Sequence, residues 1–389
     1  MEMYIIFHII YFFIYNIVQI FKSPFYWIII GIIAYQYGKI AKWKKLALEG
    51  YGGSYLCNIF TSMMTGLLGG IMGSVMFVHL GTIIDLRDLY ALIIMAILLS
   101  LIDPRYMCFA YGGGIISLIS LKFGYPHIDI PQIMTVVGVL HLVESIMILI
   151  DGTRGRLPIF MDSPEGLIGG FSMNRFWPVP LVMFINKGSI YPATIMAILG
   201  YGDIALTDYP ERKSILTVIM LFLFSILVIV FAQVSIMQYK FRYVVAIFAP
   251  LGHETVVAIG RWVEERGNLK FKPSDMGLKV LDTLPDSIAR KMGLESGDII
   301  VSINGNRVYH EKHLKNALDI GPSSLSIRAL NREMELVSKE YRGHIYGIQD
   351  LGVVLIPDVH AYAFNSTSSR GAISELMDRF RSKGNWFRN

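Results

Sequence analysis

The chain of 389 residues is 53% hydrophobic and 17% charged, with a mean hydropathy of +0.50, which excludes an ordinary soluble protein and places it in the membrane class. Its net charge of +5 is mild and diffuse; it fits loops beside anionic lipid and excludes nucleic acid as a partner, which would demand a concentrated basic face. Charges are sparse before Lys240 and dense from Arg261 onward, so an apolar body precedes a soluble part; Cys57 and Cys108 both fall in apolar stretches, where buried thiols rather than a disulfide are expected.

A membrane-crossing helix needs about 20 mostly apolar residues. The opening MEMYIIFHIIYFFIYNIVQIF lacks a basic leader and a small-residue cleavage site, so segment 4–21 is expected to be a retained first span. Further candidates follow at 25–40, 55–81, 89–102, 106–121, 131–150, 177–202 and 214–237, which makes about eight transmembrane helices. Segment 177–202 is interrupted by Pro178, Pro180, Asn186, Lys187 and Gly188, and reads as a broken or re-entrant helix. Within 55–81, Gly66 and Gly70, and Gly69 and Gly73, are each four apart; close intramolecular helix packing is expected, with homo-oligomerisation the alternative.

Basic loops carry Lys42, Lys44 and Lys45, then Arg154, Arg156 and Arg175, then Lys240 and Arg242, while Asp85, Asp88, Asp129, Asp203, Asp208 and Glu211 lie in acidic loops. With eight spans every basic loop falls on one side. The protein is then multi-pass in the cell membrane, with the N-terminus and everything after residue 240 cytoplasmic. Removing span 177–202 alone would reverse that orientation.

Beyond the spans, LKVLD at 278–282 alternates as a strand ended by Leu284-Pro285-Asp286. Asp286 or Ser287 caps a short helix closed by Gly293, and DIIVSING is a buried strand with a tight Asn304-Gly305 turn. EKHLKNALDIG is an amphipathic helix with Leu314, Ala317 and Leu318 inward, and SSLSIRAL is the next strand. The run DSIARKMGLESGDIIVSINGNRV, in this order of elements, resembles the PDZ domain. That resemblance implies a groove between helix 311–319 and a neighbouring strand, with Met276, Gly277, Leu278, Val280, His310, His313, Leu314, Ala317 and Leu318 as its residues. Protein C-termini or internal peptide segments would bind there by strand addition. NLKFKPSDM, ahead of the first strand, lacks the expected G-[LF]-G-[FI] loop, and Leu351–Ile356 is a candidate closing strand.

The fold class expected is therefore a membrane all-α domain at 1–245 and a small α+β PDZ domain at 270–357, joined by a juxtamembrane connector at 246–269. A polar linker and basic amphipathic tail occupy 358–389, with Ile373, Leu376, Met377 and Phe380 on one face for docking at the bilayer surface.

Ionisable residues at membrane depth need separate attention. His141 and Glu144 share a helix face, and with His253 and Glu254 they are the weak candidates for metal ligation. A zinc protease would place histidine four after His253, where Val257 stands, and His310-Glu311-Lys312-His313 is one residue too short. Asp151-Gly152 precedes His253-Glu254, the reverse of the order in site-2-type intramembrane proteases. No catalytic residue, metal or cofactor is expected; a metalloprotease-like or transporter-like protein with a regulatory PDZ domain is the alternative.

APLGHE at 249–254, LGVVLIP at 351–357 and RLPIFMDSPEGLIGGFSMNRFWPVP at 156–180 complete the pattern. With them the chain resembles the MinJ-type multi-span membrane proteins of Gram-positive bacteria, which end in a PDZ domain. The resemblance implies a scaffold without chemistry that recruits division and polarity proteins to the membrane, linking a pole-marking scaffold to the division-site inhibitor system.

Overall fold

Helices dominate the first two-thirds of the computed structural model, which describes residues 15, 18–47, 55–163, 166–345 and 347–356. The amphipathic tail 358–389, most of segment 4–21 and residue 357 lie outside the described residues. Two compact units form: one of residues up to Leu157 with Phe171–Asn268, the other of Pro158–Gly170 with the chain from Leu269.

The helical unit contains α1 (Pro24–Ala47), α2 (Tyr55–His79), the short strand β1 (Ile83–Asp85), α3 (Leu86–Ser100) and α4 (Phe109–Phe123), followed by α5 (Ile130–Asp151). Strand β2 (Leu157–Ser163) and the first residues of β3 (Gly166–Asn186) are assigned to the second unit; the rest of β3, β4 (Ile190–Ala205), α6 (Pro210–Met237) and α7 (Lys240–Arg266) complete the helical unit. Among the described residues, α2, α5, α6 and α7 are long and apolar enough to cross a membrane. Helix α5 is buried around most of its circumference, as expected for the centre of a bundle.

Three of the eight expected spans are corrected. At 15 residues each, α3 and α4 extend about 22 Å, short of the roughly 30 Å apolar core. They form a hairpin that returns to the end where it began: Asp88 at the start of α3 accepts the Asp129 N–H ahead of α5, and Leu121 near the end of α4 accepts the Tyr243 hydroxyl at the start of α7. The third is 177–202, which is a β-hairpin and no helix at all. Helix α7 occupies most of 246–269, where a connector is expected, and Pro250, His253 and Glu254 conceal its apolar length in the sequence.

Why 177–202 is extended follows from its prolines. Strands β3 and β4 pair antiparallel from Phe171↔Ala205 to Asn186↔Ile190 around Gly188, whose φ is +88°. Pro178 and Pro180 fall two apart, on the side of β3 that faces away from β4, where no ladder N–H is needed. The other groups on that edge are satisfied by helices. Phe176 N–H donates to Tyr37 Oη (3.1 Å), and Val182 N–H to Ser74 Oγ (2.8 Å), whose own hydrogen goes to the Gly70 carbonyl (2.6 Å). Further on, Phe184–Asn186 pair in parallel with β1. An open strand edge is thereby closed within apolar surroundings.

The α2 glycines complete this seal. A Cβ at Gly66 or Gly70 would lie 2.1 Å from the carbonyl oxygens of Pro178 and Pro180, and at Gly69 and Gly73 it would strike Met147 and Leu181. Both small faces of α2 are therefore spent inside the chain, on β3 and α5. Arg175, expected in a basic loop, is fully buried: its Nε donates to Asp151 Oδ2 (2.8 Å), which also accepts Trp177 Nε1–H (2.8 Å), and its Nη2 reaches Thr61 Oγ1 (3.2 Å).

In the second unit, β5 (Leu278–Thr283), α8 (Ile288–Lys291), β6 (Ile299–Ile303), β7 (Asn306–Arg307), α9 (Glu311–Asp319), β8 (Ser324–Leu330), β9 (Leu336–Arg342), α10 (Gly347–Leu351) and β10 (Val353–Leu355) follow in order. The sheet runs β10-β5-β6-β8-β9, with β7 paired to β6. Ser287 caps α8 by accepting the Arg290 N–H, and Asn304 and Gly305, at φ 47° and 83°, form the tight turn. Gly277 is required by backbone approach: a Cβ there would stand 2.2 Å from the Ile300 carbonyl oxygen. Leu278, Val280, Ala289, Ile300, Leu314, Leu318 and Ile327 belong to one buried core.

Candidate functional site

A peptide-accepting cleft needs an unpaired strand beside a helix, and the register shows which strand qualifies. β5 is paired on both sides, with β6 through Leu278↔Ile300 and with β10 through Val353↔Thr283 and Val354↔Asp282. It cannot receive another strand. Leu278 and Val280 point into the core with Leu314 and Leu318, all at most 2% exposed, so these four expected groove residues belong to the core. Gly277 is sealed against β6, and Met276, 48% exposed, lies ahead of the ladder.

The strand at the sheet edge is β10, and α10, which immediately precedes it, packs against α9. Leu284 N–H donates to the Gly352 carbonyl and Ile356 N–H to the Lys279 carbonyl (both 2.9 Å), so the pleat turns the N–H and C=O of Val353 away from β5. Gly352 needs its φ of +67°, and a Cβ there would stand 2.5 Å from Ser287 Cβ. Leu351-Gly352-Val353 leads into the closing strand, far along the chain from NLKFKPSDM ahead of β5. Its Gly352 N–H is already bonded to the Ile348 carbonyl (2.9 Å).

Along α9, His313, Ala317 and Ile320 are spaced by four and three, and Ile320 is 84% exposed. His310 and His313 are both exposed, their rings 5.4 Å apart. Tyr309 N–H donates to His313 Nδ1 (3.3 Å), which leaves the neutral ring with its proton on the exposed Nε2. Lys279 on β5 gives a hydrogen bond to the Lys270 carbonyl (2.9 Å), and burial, followed by repulsion from Lys270, lowers its pKa.

In the helical unit, His141 and His253 come together but their acidic neighbours do not join them. Both Nε2 atoms face Cys108 Sγ, at 3.0 and 3.6 Å. Glu254 turns to Tyr111 (2.6 Å), Arg105 (3.3 Å) and Arg261 (3.1 Å), and Glu144 lies outside the cluster. Cys108 has no sequence signal as a ligand, because its two neighbours sit 33 and 145 residues away.

Residues 280–328 match the PDZ domain family. Fold and site together define a helical membrane-class protein that carries a PDZ domain after its last apolar helix. Over 374 residues the chain is 24% identical to the cell division topological determinant MinJ of Bacillus subtilis (strain 168), covering 87% of this chain and 93% of that protein. The chain is thus MinJ-like along most of its length.

Proposed function

We propose that this protein is a membrane-anchored adaptor that recruits division or polarity proteins through a cytoplasmic PDZ groove and performs no chemistry of its own. The observation that carries the reading is the sheet-edge strand β10, whose Val353 N–H and C=O turn away from β5, led into by α10, which packs against α9. Because the Gly352 amide is engaged, the ligand is an extended segment added to the sheet edge rather than a carboxylate held by that amide. Anchoring such a module in a surface raises effective concentration, so modest affinities suffice for assembly. Likeness to a division determinant over most of the chain supports the cellular role.

The cytoplasmic placement rests on charge. Arg156 at the exit of α5 pairs with Glu211 at the start of α6, and Lys213 reaches the Gly260 carbonyl (2.8 Å) and Glu264 (3.4 Å) near the end of α7. Asn58, at the start of α2 and shortly after Lys42, Lys44 and Lys45, lies beside Gly155. These basic residues share one end of the bundle, from which α7 leads to the PDZ domain, and the positive-inside rule makes that end cytoplasmic. Lys240 and Arg242 lie at the other end, yet the crossing parity is unchanged: hairpin 177–202 is lost as a span while α7 is gained.

A photoreactive residue at Asn316, on exposed α9, tests the adaptor in cells. Capture of a division-site protein, abolished by Ile320→Asp, is expected. Capture of a membrane protein cleaved in an His253-dependent manner would establish the protease alternative instead, and labelling no stronger than at Glu333 would remove the groove from the reading.

A further inference from the structure

We propose that Cys108, His141 and His253 form a binding site for a borderline-soft divalent transition metal, with Zn²⁺ the ion whose chemistry fits best. The argument begins with proton counting. His141 Nδ1 lies 2.7 Å from the Val137 carbonyl, which can only accept, so Nδ1 carries the hydrogen and Nε2 a lone pair. The Tyr111 hydroxyl gives its single hydrogen to Glu254 Oε2 (2.6 Å) and therefore accepts from His253 Nδ1 (3.3 Å), which leaves the second Nε2 with a lone pair as well. Both lone pairs face one sulfur. A thiol has one hydrogen and satisfies one of them; the other then confronts a sulfur lone pair in a poorly solvated setting. A cation at the centre removes this conflict, with the sulfur bound as thiolate.

Geometry and setting agree. The three donor atoms lie within 4.8 Å of one another; of the two sulfur–nitrogen separations, 3.6 Å matches the edge of about 3.5–3.6 Å in a tetrahedral zinc site, and 3.0 Å needs to widen by about 0.5 Å. Both imidazoles are oriented by a hydrogen bond from their distal nitrogen, the usual arrangement of metal-bound histidine. Cys108 caps α4, its sulfur accepting the Ala110 N–H (3.4 Å), which fixes the sulfur's position. His141 and His253 stand near the midpoints of α5 and α7, and the tip of the short α3–α4 hairpin brings Cys108 to that depth. Three ligands from three elements would staple the hairpin to the bundle and leave a fourth position for water or an outside donor.

The test uses the full chain, purified in detergent with a metal-free affinity tag, stripped and titrated with Co²⁺. About one equivalent per chain is expected, with a thiolate-to-cobalt charge-transfer band and the intense d–d bands of four-coordinate cobalt, all displaced by Zn²⁺. Cys108→Ser should abolish the charge-transfer band and Cys57→Ser should retain it. Absence of that band in the wild-type protein overturns the proposal without recourse to any variant, and so does its persistence in Cys108→Ser or its loss in Cys57→Ser.

Discussion

Replacing Ser74 by alanine should open the edge of β3. The serine is 1% exposed, and its oxygen is the acceptor for Val182 N–H at 2.8 Å. The hydrogen it returns to the Gly70 carbonyl matters less, because a helix carbonyl retains its own ladder bond. A buried amide left without an acceptor costs about 1–3 kcal/mol, which raises the local opening equilibrium roughly 5- to 150-fold. Hydrogen–deuterium exchange of peptides covering 176–186, measured in nanodiscs by mass spectrometry, reads this directly. Val182→Pro supplies the control, since it removes the donor and continues the spacing of Pro178 and Pro180. In that background Ser74→Ala should cost no more than a few tenths of a kcal/mol. Unchanged exchange in Ser74→Ala, or an equal increment with and without Val182→Pro, would refute the account of how this strand is tolerated.

Other outcomes follow from neighbouring contacts. Gly70→Val should disrupt folding without changing oligomeric state, because its side chain meets the Pro180 carbonyl; a folded protein that merely loses self-association in size-exclusion chromatography would restore the dimer reading. Asp151→Asn should destabilise the helical unit by about 3–5 kcal/mol in thermal denaturation, since Arg175 loses the partner of a buried charge, whereas Arg154→Ala, on the exposed side of the same carboxylate, should cost under about 1 kcal/mol. For Lys279 the folded pKa lies below the unfolded one, so the unfolded state binds more protons in the interval between them. Stability of the PDZ unit should therefore rise with pH as the medium passes from the lowered pKa to about 10.4; Lys279→Met should flatten that rise, as measured by exchange of peptides covering 278–303.

The PDZ unit was legible because its information is local. Ser287, Gly293 and the Asn304-Gly305 turn each demand a particular backbone, and they punctuate strands of clear period. The edge strand was harder to place, since β10 lies some 70 residues beyond the β5 it pairs with, and a strand of three residues carries little pattern of its own. Segment 177–202 misled for a physical reason. Val179, Leu181, Val182, Met183 and Ile185 are all buried, so both faces of β3 are apolar and the alternation that marks a strand disappears. Two prolines spaced by two were the remaining clue, because they suit a strand edge and would break a helix twice. Cys108, His141 and His253 meet only through the packing of three helical elements, which no local pattern encodes.

The sealing of β3 also has a consequence for biogenesis. Tyr37 and Ser74, which supply oxygen to its edge, belong to α1 and α2, and both helices leave the ribosome before the strand does. Vectorial synthesis therefore delivers the receptor before the segment it must receive, and the β3 edge never has to enter lipid with bare amides. A permuted gene that translated α5 first would reverse this order and present the exposed edge to the translocon with nothing in place to cover it.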